Sequence, residues 1–204
     1  MKHSVSRAFT LVELLVVLGI FMVITGTILA NHTRFNSSVL LGSLAYDMAL
    51  SVRQAQVYGL SVQTFGTRFS ATGYDIQVGY GIHLSSAAPG SYILFADQPP
   101  ANDRYDAGEA IQTYTLSLNH SIASFCGTLS AADGGGSQCS TDVSNPPTYL
   151  DIVFFRPNPD ANILSDQLPA GHMYSSASIV VRSSQGETRT ITVQSTGQIS
   201  VTNP

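Results

Sequence analysis

The sequence predicts an α+β protein, in which one long N-terminal helix precedes a domain of antiparallel strands. A change in hydrophobic period carries this prediction. Between Phe9 and Tyr58 the apolar side chains are either continuous or recur every three to four residues, which is the helical spacing. After Ser61 they alternate with polar side chains, as in strands with one buried face. The composition, rich in Ser, Thr, Gly and Tyr and only 11% charged, also favours β-structure with many turns.

The first half of the helix is an apolar run from Phe9 to Ala30 that contains one charged residue, Glu13. A helix of this run is ~33 Å long, which matches a bilayer core of roughly 30 Å. A charge inside such a span costs on the order of 2.5–3.5 kcal/mol, so Glu13 is predicted to be functional. Lys2 and Arg7 precede the run, which places the N-terminus in the cytoplasm and the following domain outside.

The second half of the helix is amphipathic, and we expect it to cover the core of its own domain, with Gly59 as its stop signal. The chain of 204 residues is therefore read as one domain attached to a helix. Its predicted parts are a leader (1–8), a transmembrane half-helix (9–30), an amphipathic half-helix (31–60) and a β-rich head domain (61–204).

Alternation of apolar and polar residues locates the strands of the head domain. Gly, Ser, Asn and Pro concentrate in residues 130–147 and 157–171, which are predicted to be loops. The predicted strands are residues 74–84, 91–96, 111–118, 149–155, 178–183, 188–194 and 199–201.

The residues around Glu13 resemble the class III signal of type IV prepilins and pseudopilins. The segment is Arg7–Val17, RAFTLVELLVV. The resemblance implies cleavage between Ala8, where the family usually has Gly, and Phe9. It also implies methylation of the new Phe9 amine and pairing of Glu13 with that amine on an adjacent subunit. The implied fold is pilin-like, and the implied partners are other pilin or pseudopilin subunits, a prepilin peptidase/methyltransferase and an inner-membrane assembly platform.

Later segments are similar to the H-type minor pseudopilins, the GspH/FimT group. They include RQAQVYGLSVQ, GYGIHLS and TITVQSTGQISV, whereas the Cys-bearing insertion between Phe125 and Tyr149 departs from that group. The similarity implies a minor pseudopilin of a type II secretion pseudopilus. A minor pilin for adhesion, motility or DNA uptake is the alternative. In both cases the implied location before assembly is the cytoplasmic (inner) membrane, with the head domain periplasmic or extracytoplasmic.

The two cysteines, Cys126 and Cys139, fit an exported domain. A disulfide between them would stabilise the fold by about 3 kcal/mol and would persist only in an oxidising compartment. Two unpaired thiols are the alternative, and we favour the disulfide.

An acidic loop follows the strand that ends near residue 96. Carboxylate and amide oxygens are the ligands that calcium prefers, so the loop is a candidate calcium site. Pro99–Pro100, Arg104 and the spacing do not fit a calcium-loop pattern, so an ordinary solvated turn is favoured and no cofactor is expected. The candidate ligands are Asp97, Asn102, Asp103, Asp106 and Glu109.

We find no catalytic pattern in the sequence, and we do not expect an enzyme. The histidines occur singly, and His83, on the polar face of a strand, is predicted to be a surface residue. The net charge of -4 argues against nucleic-acid binding. A further alternative is a soluble exported binding protein whose ordinary signal peptide is cut after Ala30.

Overall fold

The computed structural model describes residues 9–61, 78–168 and 171–202. The leader, with Ala8, lies outside this range. The helix α1 spans Leu11–Leu60. It begins after Thr10, whose Oγ1 accepts a hydrogen bond from the Glu13 backbone N–H at 3.2 Å, and threonine is a favoured residue at this capping position.

The head domain contains ten strands among the described residues, so the α+β fold is confirmed. The predicted strand at 74–84 begins at Gly79 in the structure, and residues 74–77 lie outside the described range. The strands are β1 (Gly79–Ser85), β2 (Ser91–Asp97), β3 (Ala110–Thr115), β4 (Ser121–Thr128), β5 (Ser137–Cys139), β6 (Tyr149–Phe154), β7 (Ala161–Ser165), β8 (Ser176–Arg182), β9 (Thr188–Gln194) and β10 (Ile199–Thr202).

The strands form two five-stranded antiparallel sheets. The first has the order β3-β2-β1-β6-β7 and the second has the order β10-β9-β8-β4-β5. The C-terminal half of α1 packs against both sheets, chiefly against β1, β6, β9 and β10. One hydrophobic core therefore joins the helix to both sheets. Its helical members are Leu41, Ala45, Met48, Val52 and Ala55.

Polar contacts fix the helix at two levels of the head domain. Near the start of the C-terminal half of α1, Arg189 of β9 donates a hydrogen bond to Ser38 Oγ at 3.3 Å. Near the C-terminal end of α1, Gln56 Nε2 donates to the carbonyl oxygens of Pro159 at 3.0 Å and Gly197 at 3.1 Å. The helix is thus held to the head domain by directional bonds as well as by apolar packing.

Three strands were not predicted from the sequence. The loop prediction was wrong for β5 and β7, which lie in the segments expected to be irregular. In β4 the register shifts between Ile122 and Ser124, so the buried residues Ile122 and Phe125 do not alternate. A bulge of this kind hides the period of two that identifies a strand.

Candidate functional site

The first half of α1 is the part of the chain with a surface suited to a membrane. Residues Leu11–Leu29 have a mean hydropathy of 2.5, and none of that segment is buried against the rest of the protein. By length and composition it could cross a bilayer. Its apolar side chains therefore have no partner within the described part of this chain.

Glu13 lies in the first turn of this exposed helix. It is the only ionisable side chain between Leu11 and Leu29. The backbone N–H groups of a first turn have no partners within the helix, and the helix dipole is positive there, so a carboxylate is favoured at this position. Phe9, the residue at which the predicted mature chain would begin, is exposed just before the helix.

The second half of α1 also carries exposed apolar residues, on the face turned away from its core. Val39, Tyr46, Leu50 and Val57 are each more than half exposed. They lie one or two helical turns apart and so form a line along one side of the helix. We call these four residues the outer stripe. The prediction that this half of the helix covers its own core accounts for the opposite face and leaves the outer stripe unexplained.

Residues 4–29 match the family described as the prokaryotic N-terminal methylation motif. The chain carries a type IV pilin-like N-terminal motif. This motif supports a type IV pilin-like subunit, implies processing by a prepilin peptidase and implies assembly with other pilins. The exposed apolar segment Leu11–Leu29 lies within the matched residues and fits a membrane-anchored pilin. The proteins that carry the pilin motif are structural rather than enzymatic. No curated protein and no solved structure matches the chain significantly.

Beyond the pilin motif, the head domain has a cross-strand disulfide. Cys126 of β4 and Cys139 of β5 lie directly opposite each other and are bonded. The N–H of Phe125 also donates to Ser140 Oγ at 3.1 Å, next to the bridge. The bridge and this hydrogen bond hold the short strand β5 at the edge of the second sheet.

The acidic segment after β2 folds into a loop that we call the strap, residues 98–109. Two carboxylates, that of Asp97 just before the strap and that of Glu109 at its end, accept hydrogen bonds from its backbone. Asp97 accepts from the N–H groups of Asn102 at 3.1 Å and Asp103 at 2.9 Å. Glu109 accepts from the N–H groups of Gln98 and Asp106, both at 2.8 Å.

The remaining candidate ligands of the strap also bond to protein groups. Asn102 Nδ2 donates to Asp106 at 2.9 Å, and Asn162 of β7 donates to Asp103 at 3.2 Å. Within residues 9–61, 78–168 and 171–202, no group of three or more His, Cys, Asp or Glu side chains is arranged to hold a metal ion. The prediction that favours a solvated turn over a calcium site stays a prediction.

His83 is not the surface residue that the sequence predicted. Its side chain is 15% exposed, and its Nδ1 lies 2.6 Å from Oδ1 of Asp151, which is 1% exposed. The other oxygen of Asp151 accepts a hydrogen bond from the backbone N–H of Tyr105 at 3.2 Å. The prediction was wrong because the strap covers the face of the first sheet that points away from α1. The available signal that this face is covered was Val153, an apolar residue that shares the face with Asp151 in the run YLDIVFF and is fully buried.

Burial shapes the protonation of the carboxyls beneath and beside the strap. It raises the pKa of Asp97 to about 6, with the Glu109 and Asp103 carboxylates adding to the rise and the two bonded backbone N–H groups opposing it. Burial also raises the pKa of Asp151, against the opposing effect of its bond to His83. These two groups are therefore suited to take up protons in milder acid than ordinary carboxyls do.

Proposed function

We propose that this chain is a minor pseudopilin of the GspH/FimT type. It is processed between Ala8 and Phe9 and assembles through its N-terminal helix into a type II secretion pseudopilus or a related type IV pilus-like filament. The observation that carries the proposal is Glu13, the one charged side chain of the unpartnered apolar segment Leu11–Leu29, which lies within the pilin motif.

The chemistry of assembly follows from that charge. Cleavage before Phe9 frees an α-amino group, and N-methylation leaves the nitrogen able to hold a proton. In the filament this cation pairs with Glu13 of an adjacent subunit, so that neither charge is left alone among apolar side chains. Before assembly the helix anchors the subunit in the inner membrane, with its N-terminus cytoplasmic and its head periplasmic.

The outer stripe supports the same proposal outside the membrane. Its four apolar residues give a neighbouring subunit a surface to pack against along the half of α1 that leaves the bilayer. Four exposed apolar side chains destabilise an isolated subunit little. Their burial between the packed helices of a filament would stabilise the filament.

The test is incorporation of a Glu13→Ala variant into filaments in cells. Membrane fractionation should show normal insertion, since removing a charge favours the span. The amount of variant in sheared filaments should fall by about tenfold or more, which corresponds to a loss of about 1.4 kcal/mol. Asp160→Ala, which removes an exposed carboxylate of the head domain, is the control and should incorporate normally. Equal incorporation of the Glu13 variant and the parent would contradict the proposal.

Two alternatives differ in measurable ways. A minor pilin used for adhesion, motility or DNA uptake would leave protein secretion intact when the gene is deleted, whereas a pseudopilin would not. A soluble exported binding protein would be cut after Ala30. N-terminal sequencing of the mature protein separates the pilin class from the secreted protein. A chain that begins at Phe9 supports the pilin class, and one that begins at Asn31 supports the secreted protein.

A further inference from the structure

Strand β3 lies at one edge of the first sheet, with β2 as its inner neighbour. The N–H of Leu116, just after β3, donates at 2.8 Å to a carbonyl oxygen just before β2. Bonded pairs alternate with non-bonded pairs along an antiparallel ladder, so in this register Tyr114 and Gln112 also bond to β2. The backbone N–H and C=O groups of Thr113 and Thr115 therefore point away from β2.

This edge has little of what normally protects an edge strand. Residues 110–118 contain no charged residue and no proline, both of which discourage pairing with another strand. The one register shift of this pair lies at the start of β3, and the ladder from Gln112 onward is regular. Thr113 and Thr115 are exposed, and within the described residues no hydrogen bond reaches their backbone groups.

The other three edge strands of the two described sheets offer less open backbone. Strand β7 is covered, because the N–H of Ala161 donates to the Ser195 carbonyl at 2.7 Å and the N–H of Tyr174 donates to the Ile163 carbonyl at 3.0 Å. Strand β5 has three residues and is fixed by its disulfide, and β10 has four residues. Strand β3, with six residues, is therefore the longest open edge among the described strands.

Strand β3 lies beside the outer stripe of α1. The hydroxyl group of Tyr114 donates a hydrogen bond to Gln54 Oε1 on the helix at 3.3 Å. Gln54 comes four residues after Leu50 and three before Val57, so it lies on the same side of the helix as these two members of the outer stripe. A subunit that packs on this part of the outer stripe is therefore next to the β3 edge.

We propose that the β3 edge pairs with an extended backbone segment of an adjacent pilin-like subunit, which adds a strand to the first sheet. The pilin motif implies assembly with other pilins, and this gives the class of the partner. The outward groups of Thr113 and Thr115 supply the main-chain bonds, which depend little on the partner's side chains. The inference rests on the proposed assembly function and adds a contact of the head domain to the contacts between helices.

Photo-cross-linking of the full-length protein in cells tests this contact. The photoreactive residue p-benzoyl-phenylalanine replaces Thr115, because side chains opposite each other on neighbouring strands have Cβ atoms only about 4.5–5.5 Å apart. After irradiation the filaments are sheared, and mass spectrometry should identify a pilin-like subunit in the cross-linked product. Filaments that contain the protein but give no product would overturn the inference while leaving the assembly function standing. A product with a protein outside the pilin class would also overturn it.

A proline substitution tests the main-chain bonds themselves. Thr113→Pro removes the outward N–H and puts a ring in its place, and no bond to β2 is lost because that N–H points away from β2. In the cross-linking protein this change should lower the yield by about tenfold, as expected for a lost hydrogen bond. Thr113→Ala keeps the N–H, so it is the matched control and should stay within about twofold of the parent yield. Equal yields from the two variants would overturn the inference.

Hydrogen–deuterium exchange of the unmodified protein keeps the test decisive if Thr113→Pro does not fold. The amides of Thr113 and Thr115 are compared between sheared filaments and the subunit in detergent micelles. Their exchange should slow by about tenfold or more in filaments, because pairing protects them from water. Equal exchange rates in the two samples would overturn the inference.

The Glu13→Ala variant separates this inference from the assembly function. Its cross-link yield at position 115 should fall together with its incorporation, by about tenfold, because only assembled subunits pair. A parent-level yield from Glu13→Ala subunits that stay out of filaments would show that the pairing does not belong to the filament. That result would overturn the inference and leave assembly through Glu13 intact.

Discussion

At the scale of single residues, Asp151 is a buried carboxylate that depends on its hydrogen-bond partners. It is 1% exposed and keeps its two oxygens bonded to His83 and to the N–H of Tyr105. A buried carboxylate of this kind is tolerated only while its partners remain, because a lost partner leaves a desolvated charge behind.

We therefore predict that His83→Ala destabilises the protein by about 1–3 kcal/mol at pH 7, since it leaves one oxygen of Asp151 without a donor. Urea unfolding measures this change. The matched control is His172→Ala, because His172 is also paired with an aspartate, Asp133, at 3.1 Å, but those two side chains are far more exposed, at 44% and 34%. The control should change stability by less than about 0.5 kcal/mol. Equal effects of the two substitutions would show that burial of Asp151 is not decisive.

At the scale of elements, β5 depends on a covalent bond. It has three residues, and it pairs with β4 through the segment that contains the disulfide. A strand this short has little apolar surface to bury, so its position at the edge of the sheet follows from the bridge and from the register of β4.

The double substitution Cys126→Ser with Cys139→Ser should lower the free energy of unfolding by about 3 kcal/mol, because the unfolded chain is no longer constrained by the bridge. Chemical denaturation with and without a reductant measures it. The reductant should bring the parent protein down to the stability of the variant and should leave the variant unchanged. A parent protein that is insensitive to reduction would contradict the prediction.

At the scale of the whole molecule, one core joins α1 to both sheets. Met48 and Leu50 illustrate how sharply the helix divides its faces, since Met48 is fully buried and Leu50 is 65% exposed. The core residues of both sheets belong to the same cluster as Met48. We therefore expect the two sheets and the C-terminal half of α1 to unfold together.

Met48→Ala should cost about 2–5 kcal/mol because it leaves a cavity in this shared core. Leu50→Ala should change stability by no more than about 0.5 kcal/mol, since Leu50 contributes little to the core of the isolated chain. Thermal unfolding measures both, and hydrogen exchange should show β1 and β9 losing protection together in Met48→Ala. Loss confined to one sheet would contradict a single core.

The sequence by itself determined the parts of this protein that depend on neighbours along the chain. The helix from Phe9 to Tyr58 agrees with α1 to within two residues at each end, because helical periodicity is a local property. The strands with strict alternation, such as β8 and β9, were found for the same reason. The N-terminal motif was also readable, since its residues are contiguous.

Only the tertiary structure decided the features that depend on residues far apart in sequence. Strand β4 required its pairing with β8, because its bulge hides the alternation, and β5 required a partner across the disulfide. His83 became a partly buried partner of Asp151 because the strap, whose own sequence indicates a solvated turn, lies across its sheet. The local pattern of a strand says which side chains share a face, whereas what covers that face is set by the fold.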